Sequence, residues 1–202
     1  IAIMIFFILF SAVLAIYLNE YCLSSICAYF LLNVFYSLKL KNIALIDVAC
    51  IALGFVLRIL SGCFAIEVEP SALVILLTFF ASMFFTFSKR KLELQVAGNN
   101  CRKSIKNFNI DTANQFILIN AILSIAFYFT YVLDSKTIEK ISNPYLYITV
   151  IPFSLIVFRL LLLTNLKTDN DDPIHFLEKD NTLKVLFFIY IITLISILIT
   201  AI

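Results

Sequence analysis

Residues 45–66 read LIDVACIALGFVLRILSGCFAI, an apolar run of 22 residues that contains two charged side chains, Asp47 and Arg58. A helix of about 20 apolar residues spans the hydrocarbon core of a bilayer. Backbone polar groups in lipid are satisfied only in helices or closed barrels, and this run lacks the strict alternation of a barrel strand. The stretch therefore predicts a transmembrane helix.

The rest of the chain repeats this pattern. Of its 202 residues, 62% are apolar and 14% are charged, whereas soluble domains contain about 25% charged residues. Six more apolar stretches cover residues 1–19, 21–36, 71–88, 112–133, 144–166 and 183–202. The sequence therefore predicts an all-α polytopic membrane helix bundle with seven transmembrane helices, in one domain over residues 1–202. It excludes a soluble domain, a disordered chain and a disulfide scaffold.

The first residue is Ile1 rather than Met, and it lies directly in an apolar span with no signal-peptide pattern before it. We expect that the chain is a fragment whose N-terminal part is missing. The five cysteines form no CxxC pair and the single histidine is His175. Neither a zinc site, a disulfide framework nor a histidine-based triad is indicated.

The loops between the predicted spans alternate between the two sides of the membrane, and they differ in basic residues. One set of loops, at 37–44, 89–111 and 167–182, contains ten lysines and arginines. The other set, at the 20/21 junction, 67–70 and 134–143, contains Lys136 and Lys140. Cytoplasmic loops are enriched in Lys and Arg, so the first set is predicted to be cytoplasmic. The expected location is the bacterial inner (plasma) membrane, with the active face towards the cytoplasm.

Charged residues inside a predicted span are functional candidates, because each costs roughly 2.5–3.5 kcal/mol on insertion scales. Asp47 and Arg58 are eleven residues apart, which places them within about 20° on one helix face and about 16 Å apart along the axis. Gly54 lies on the same face. This pattern favours a polar cavity open to the cytoplasm. The alternative is that Arg58 pairs with another helix and locks the bundle, and Arg159 is a candidate for the same reason.

Two short basic runs follow the ends of predicted spans. Residues 36–41 read YSLKLK, and residues 88–94 read SKRKLEL. If the second helix continues past the membrane, Arg90 and Glu93 form an i,i+3 pair. Adjacent cations such as Lys89 and Arg90 suit phosphate binding, and a nearby carboxylate suits a metal ion or the orientation of the cations. The alternatives are interfacial anchors, surface ion pairs and contacts with anionic lipid headgroups.

The acidic residues of loop 167–182, among them Asp169, Asp171 and Asp172, match no calcium-loop spacing. A solvated loop is favoured for them over a Mg²⁺ site. Cations and a few acids on one side of an apolar bundle are what an enzyme needs to join a phosphorylated, water-soluble substrate to a lipid.

These motifs, in this order, resemble the UbiA-type prenyltransferase superfamily of intramembrane enzymes. Within it they are most similar to the decaprenyl-phosphate phosphoribosyltransferase branch. The specific pieces are YSLKLK at 36–41, Asp47, GFVLR at 54–58 with Gly62, and KRKLEL at 89–94; weaker pieces include Arg102, Arg159 and Asp180. The resemblance implies a nine-helix bundle around a cavity that faces the cytoplasm and opens laterally to lipid. The seven spans here would be helices three to nine, and the first two helices would be missing.

The resemblance also implies roles for particular residues. The missing helices would bring the family's first Asp-rich motif, which binds Mg²⁺ and the diphosphate. Where the family has a second pair of aspartates, this chain has Lys89, Arg90 and Glu93, which suits a phosphorylated sugar such as phosphoribosyl diphosphate. Asp47 and Glu93 are predicted to be catalytic, with Asp47 a tentative ligand of Mg²⁺. The residues predicted to bind substrate are Tyr36, Lys39, Arg58, Lys89, Arg90 and Arg159.

The predicted function is transfer of 5-phosphoribosyl to a polyprenyl phosphate for cell-envelope glycan synthesis. The predicted partners are a polyprenyl phosphate or diphosphate lipid, a phosphorylated sugar or aromatic co-substrate and the bilayer, and no nucleic acid is expected. The nearest alternative is a prenyltransferase that acts on an aromatic acceptor. A membrane transporter or an inactive, truncated homologue are the alternatives from other classes, although no inverted repeat is present to support a transporter.

Overall fold

The computed structural model describes residues 18–97, 109–166 and 179–200. Seven α-helices lie within these ranges: α1 Glu20–Leu38, α2 Ile46–Ala65, α3 Ala72–Ala97, α4 Ile110–Leu133, α5 Ser135–Ile141, α6 Val150–Thr164 and α7 Asn181–Ile199. Short 3₁₀ helices at Leu40–Asn42 and Pro144–Thr149 precede α2 and α6. The described ranges contain no strand, which confirms the predicted all-α bundle.

Six of these helical segments are long and apolar enough to cross a membrane. They coincide with six of the seven predicted spans, with the 3₁₀ helix from Pro144 forming the first part of the span that ends at Thr164. The predicted span 1–19 lies outside the described residues apart from its last two positions. The chain is an integral membrane protein, and large apolar side chains such as Leu31, Ile122 and Ile151 are exposed on the outer faces of the helices.

Polar caps define where several helices begin. The Asn19 side chain accepts a hydrogen bond from the backbone N–H of Cys22 at 2.7 Å, and Asp180 accepts one from Leu183 at 2.7 Å. Such caps satisfy N–H groups that have no partner within the helix. Asn143 caps the 3₁₀ helix in the same way, and Pro144 occupies its first turn, a position where proline is favourable.

Successive membrane helices run in opposite directions, so the helix ends meet in two groups. We call one group the cationic end: it holds the last residues of α1, α3 and α6 and the first residues of α2, α4 and α7. The other group is the opposite end. There the Asn19 amide donates to the carbonyl of Phe64, and the Asn143 amide donates to the carbonyl of Ile197.

The core of the bundle forms where α3 packs against its neighbours. Phe80 stacks on Phe127 of α4 with ring centroids 5.3 Å apart, and Phe87 stacks on Phe116 at 5.0 Å. Buried residues from α2, α6 and α7 complete the same cluster, among them Val48, Leu160 and Leu183. The central position of α3 brings its polar residues into contact with several other helices.

Two segments contain more helix than the predicted spans and loops. Helix α3 continues nine residues beyond the predicted apolar stretch 71–88 to end at Ala97, which confirms the condition for an Arg90–Glu93 pair. The loop at 134–143 contains the two-turn helix α5. Its cause is local, because Asp134 caps its start and Ser142 ends it with a left-handed φ of 57°.

Candidate active site

Three helices bring their polar residues together at the cationic end. Tyr36 lies in the last turn of α1, Asp47 in the first turn of α2, and Arg90 and Glu93 in the extension of α3. All four were predicted to belong to the site, and the structure places them in one connected group. We call these residues, Tyr36, Asp47, Arg90 and Glu93, the ion-pair network.

The centre of the network is a buried ion pair between α2 and α3. Arg90 donates from Nε to Oδ2 of Asp47 at 2.7 Å and from Nη2 to Oδ1 at 3.1 Å. Asp47 is 1% exposed and Arg90 is 5% exposed. Two parallel bonds of this kind fix the relative position of both side chains and are stronger than bonds between neutral groups. This pair therefore holds the two helices in register.

Tyr36 and Glu93 extend the network on either side of this pair. The Tyr36 hydroxyl donates to Oδ1 of Asp47 at 2.8 Å, and Nη1 of Arg90 donates to both oxygens of Glu93 at 2.7 and 2.8 Å. Two carboxylates thus share one guanidinium. Three nitrogens of Arg90 donate hydrogen bonds to carboxylates of the protein. The sequence had predicted that Arg90 binds phosphate.

A cavity of about 760 Å³ opens beside the network. We call it the central cavity. Its lining residues are Tyr36, Ile51, Phe55, Leu77, Thr78, Ala81, Ser82, Phe85, Thr86, Lys89, Arg90, Tyr128, Phe153 and Tyr190. Lys89 and Arg90 lie at the cationic end of this cavity, and most of the remaining wall is apolar or aromatic. A cavity of this kind suits an amphiphile with an anionic head.

One wall of the central cavity is polar because of a regular spacing on α3. Thr78, Ser82 and Thr86 follow one another at intervals of four residues, and Lys89 comes three residues later. At about 100° per residue these positions share one helix face. The three hydroxyl residues were not predicted from the sequence. Their four-residue spacing within an apolar span is the pattern that indicates them.

Aromatic residues occupy the other end of the central cavity. Tyr128 of α4 packs against Phe153 with ring centroids 4.3 Å apart, and Tyr190 of α7 lies 6.2 Å from Phe153. The Tyr128 hydroxyl is 2.7 Å from Oγ1 of Thr149 and 3.1 Å from the Tyr190 hydroxyl. These three rings form the end of the cavity that is remote from the cations.

Arg58 lies on a separate, smaller cavity of about 180 Å³ between α1 and α2. Its Nη2 donates to the hydroxyl of Tyr29 at 2.5 Å, and its guanidinium carbon lies 4.9 Å from the ring centroids of both Tyr29 and Phe55. Gly54 lines the same cavity, as the shared helix face predicts. Arg58 therefore contacts a neighbouring helix and also faces a cavity, so each of the two alternatives describes part of its position.

Lys91 points away from the central cavity although it is adjacent to Arg90 in the sequence. It is 2% exposed, and its Nζ donates to Oδ1 of Asn165 at the C-terminus of α6, at 2.6 Å. Consecutive helix residues differ in direction by about 100°. The three cations 89–91 therefore do not form one phosphate-binding surface, and the partner Asn165 was not found by sequence reasoning.

Two other predicted substrate-binding residues lie away from the central cavity. Arg159 of α6 donates to Asp180 at 2.6 Å, and its pairing with the cap of α7 joins these two helices. The pKa of the Asp180 carboxyl lies below its usual range because it accepts a hydrogen bond from Arg159 and another from the backbone N–H of Leu183. Lys39 is exposed at the end of α1. The predicted residues Arg102 and Asp169 to Asp172 lie outside the described residues.

The described ranges contain no cluster of three or more His, Cys, Asp or Glu side chains that could hold a metal ion together. Both oxygens of Asp47 accept hydrogen bonds from Arg90, and Oδ1 accepts one more from Tyr36. This geometry is that of an ion pair, so the two carboxylates of the ion-pair network do not fit a protein-built Mg²⁺ site. The role of Asp47 as a metal ligand stays a prediction.

The fold and the cavity define a class of protein: a polytopic helical membrane protein that encloses an amphipathic cavity with cations at one end. Two curated proteins are similar to this chain. One, from Mycolicibacterium smegmatis, is a decaprenyl-phosphate phosphoribosyltransferase that is 25% identical over 180 residues, or 82% of this chain. The other, from Corynebacterium glutamicum, has the same name and is 27% identical over 135 residues, or 65% of this chain.

These similarities confirm the resemblance to decaprenyl-phosphate phosphoribosyltransferases that the motifs indicate. The chain spans 55% of the length of the first relative and 40% of the second. No family model matches the chain.

Proposed function

We propose that the chain belongs to an intramembrane transferase of the UbiA type that moves 5-phosphoribosyl from phosphoribosyl diphosphate to a polyprenyl phosphate. The observation that carries the proposal is the central cavity, which combines Lys89 at one end with apolar and aromatic walls. A polyprenyl phosphate has the same division between an anionic head and an apolar chain. The names of the two relatives supply the donor group and the lipid class.

In the proposed reaction a phosphate oxygen of the lipid attacks C1 of the ribose ring. A new C–O bond forms as the bond from C1 to the diphosphate breaks, and the electron pair leaves with pyrophosphate. Positive charge close to the leaving group stabilises the negative charge that develops there. Lys89 is the cation that we assign to this task, because it lines the central cavity at the cationic end.

Asp47 and Arg90 act as positioning residues in this proposal. Their bidentate bond fixes α2 against α3, and Tyr36 joins α1 to the same network. Because Lys89 directly precedes Arg90 in α3, the network determines where the Lys89 side chain enters the cavity. Mg²⁺ is the cofactor that we propose, and it would be bound by the phosphates of the donor rather than by Asp47, since Mg²⁺ often enters a site through substrate phosphates.

The test is an assay with radiolabelled phosphoribosyl diphosphate, polyprenyl phosphate and membranes that contain the protein, run with and without Mg²⁺. We expect labelled lipid that depends on both substrates. Absence of labelled lipid would overturn the proposal, as would prenylation of an aromatic acceptor in a parallel assay that supplies this acceptor and a polyprenyl diphosphate. Membranes without the protein provide the background.

Replacement of Lys89 tests its role within this reaction. We expect Lys89→Gln to lower kcat/KM for the donor by about 10- to 100-fold, because a hydrogen bond to a charged group contributes about 1.5–3 kcal/mol. Lys41→Gln is the matched control, because Lys41 is exposed at the same end of the bundle and does not line the central cavity. Equal effects of the two substitutions would contradict the assignment.

A further inference from the structure

Ser82 differs in its hydrogen bonding from the other two hydroxyl residues on the polar wall of the central cavity. Its neighbours on this wall bond to their own helix: Thr78 donates to the carbonyl of Val74 and Thr86 to the carbonyl of Ser82, each at 2.7 Å. Ser82 is 9% exposed and its hydroxyl has no hydrogen-bond partner among the described residues. Because Ser82 lines the central cavity, its hydroxyl is available for a hydrogen bond with a ligand there.

The position of Ser82 relative to Lys89 limits what this ligand is. The two residues are seven positions apart on one helix, which corresponds to a rise of about 10 Å and an angular difference of about 20°. A ligand that reaches both side chains carries an anionic group at the cationic end and a hydrogen-bonding group deeper in the cavity. The apolar chain of a polyprenyl lipid has no group that bonds to a hydroxyl. A phosphorylated sugar has both groups.

We propose that Ser82 and Lys89 form a subsite for the phosphorylated sugar donor, in which the Ser82 hydroxyl binds a hydroxyl group of the sugar ring. This inference rests on the proposed function and adds to it a residue that selects the sugar. The donor lies along α3, and the apolar wall formed by Ile51 and Phe55 of α2 receives the lipid. The two substrates then lie side by side in one cavity.

Ser82→Ala tests the subsite, because alanine removes the hydroxyl and is compatible with a helix. In the transfer assay we expect the KM of the donor to rise about three- to tenfold, the factor that corresponds to one neutral hydrogen bond. The KM of the lipid stays unchanged. Ser82→Thr retains the hydroxyl and is expected to keep most of the donor affinity.

Ser124→Ala is the matched control. Ser124 is also a buried serine in a membrane helix, but its hydroxyl donates to the carbonyl of Ala121 and it does not line the central cavity. We expect no change in either KM. Donor analogues that each lack one ribose hydroxyl sharpen the test. For the analogue that lacks the hydroxyl bound by Ser82, the KM with the wild-type protein is expected to equal the KM of the full donor with Ser82→Ala. The KM of this analogue is expected to be the same in the wild-type protein and in Ser82→Ala.

The outcomes separate this inference from the function on which it rests. Labelled lipid from the wild-type protein together with an unchanged donor KM for Ser82→Ala would overturn the subsite alone. A rise in the lipid KM instead of the donor KM would also overturn it, as would equal losses for every deoxy analogue in both proteins. Absence of labelled lipid from the wild-type protein would overturn the proposed function and the subsite together.

Discussion

Arg90 is surrounded by two acidic side chains, and this changes the role that its charge can have. With Asp47 and Glu93 ionised, the three side chains carry a net charge of −1, so the guanidinium is more than neutralised within the protein. The adjacent Lys89 lines the cavity. The three adjacent cations therefore have different surroundings: Arg90 joins α2 to α3, Lys89 lines the central cavity, and Lys91 binds Asn165.

Removal of Arg90 is expected to destabilise the whole bundle. Arg90→Ala leaves Asp47 buried without its cation, and the loss of one partner of a buried ion pair costs about 3–5 kcal/mol. Arg90→Lys keeps the charge but loses the bidentate geometry, so we expect a smaller loss. The measurement is the unfolding free energy of the purified protein in detergent.

The double variant Asp47→Asn with Arg90→Gln distinguishes this explanation from a simple loss of packing. Because both charges are removed together, it is expected to be more stable than Arg90→Ala. Arg58→Gln provides the control, since it removes an arginine that is exposed on α2. An Arg90→Ala variant as stable as the wild-type protein would show that the ion pair does not hold α2 against α3.

Hydropathy predicted where the membrane helices lie in the sequence, but it did not predict which face of each helix points into the bundle. Six predicted apolar stretches coincide with six helices that are long and apolar enough to cross a membrane, because length and composition decide whether a segment crosses a bilayer. These helices are apolar on most sides, so periodicity does not indicate which face points inward. The Asp47–Arg90 pair joins residues 43 positions apart, and such a contact depends on the rotation and the neighbours of both helices.

The four residues of the ion-pair network were named from the sequence, whereas most of the contacts between them were not. The i,i+3 pair of Arg90 and Glu93 follows from the helix geometry and was predicted. The shared face of Gly54 and Arg58 was also local and is present in the structure. The separation of Arg58 from the central cavity was not predictable, because it depends on how Phe55 and Tyr36 fill the space between two helices.

The ion pair of Arg159 and Asp180 between α6 and α7 predicts that acid destabilises the protein. The folded-state pKa of Asp180 is below its ordinary value, chiefly because of the hydrogen bond from Arg159. A group with a depressed pKa stabilises the folded state above its unfolded pKa of about 3.9 and loses that contribution as the pH falls through its folded pKa. We therefore expect the unfolding free energy to fall as the pH is lowered below about 4.

Asp180→Asn tests this source of the acid sensitivity. Asparagine retains the helix cap but cannot form the ion pair, so the contribution of this site to the pH dependence is expected to disappear. Asp180→Ala also removes the cap, which costs about 1 kcal/mol more at neutral pH. The measurement is unfolding between pH 3 and 7 for both variants, where about 4 marks the expected transition. An unchanged pH profile in Asp180→Asn would contradict the assignment.

Considered as a whole, the molecule separates its charge along the membrane normal. Within the described ranges, eight lysines and arginines lie in the half of the bundle towards the cationic end: Lys39, Lys41, Lys89, Arg90, Lys91, Arg159, Lys179 and Lys184. The other half contains Arg58, Lys136 and Lys140. In the proposed function, the phosphorylated, water-soluble donor enters from the compartment that this cationic end faces. The orientation of the bundle therefore determines which pool of substrate it uses.

The positive-inside rule predicts that the cationic end faces the cytoplasm. Cysteine labelling tests this in a background without the five native cysteines. Lys41→Cys and Lys140→Cys place single thiols at exposed positions on the two ends of the bundle. With a thiol reagent that does not cross membranes, intact cells are expected to label Lys140→Cys, and Lys41→Cys only after permeabilisation. The reverse pattern would place Lys89 on the outer side, where the central cavity could not draw on a cytoplasmic donor.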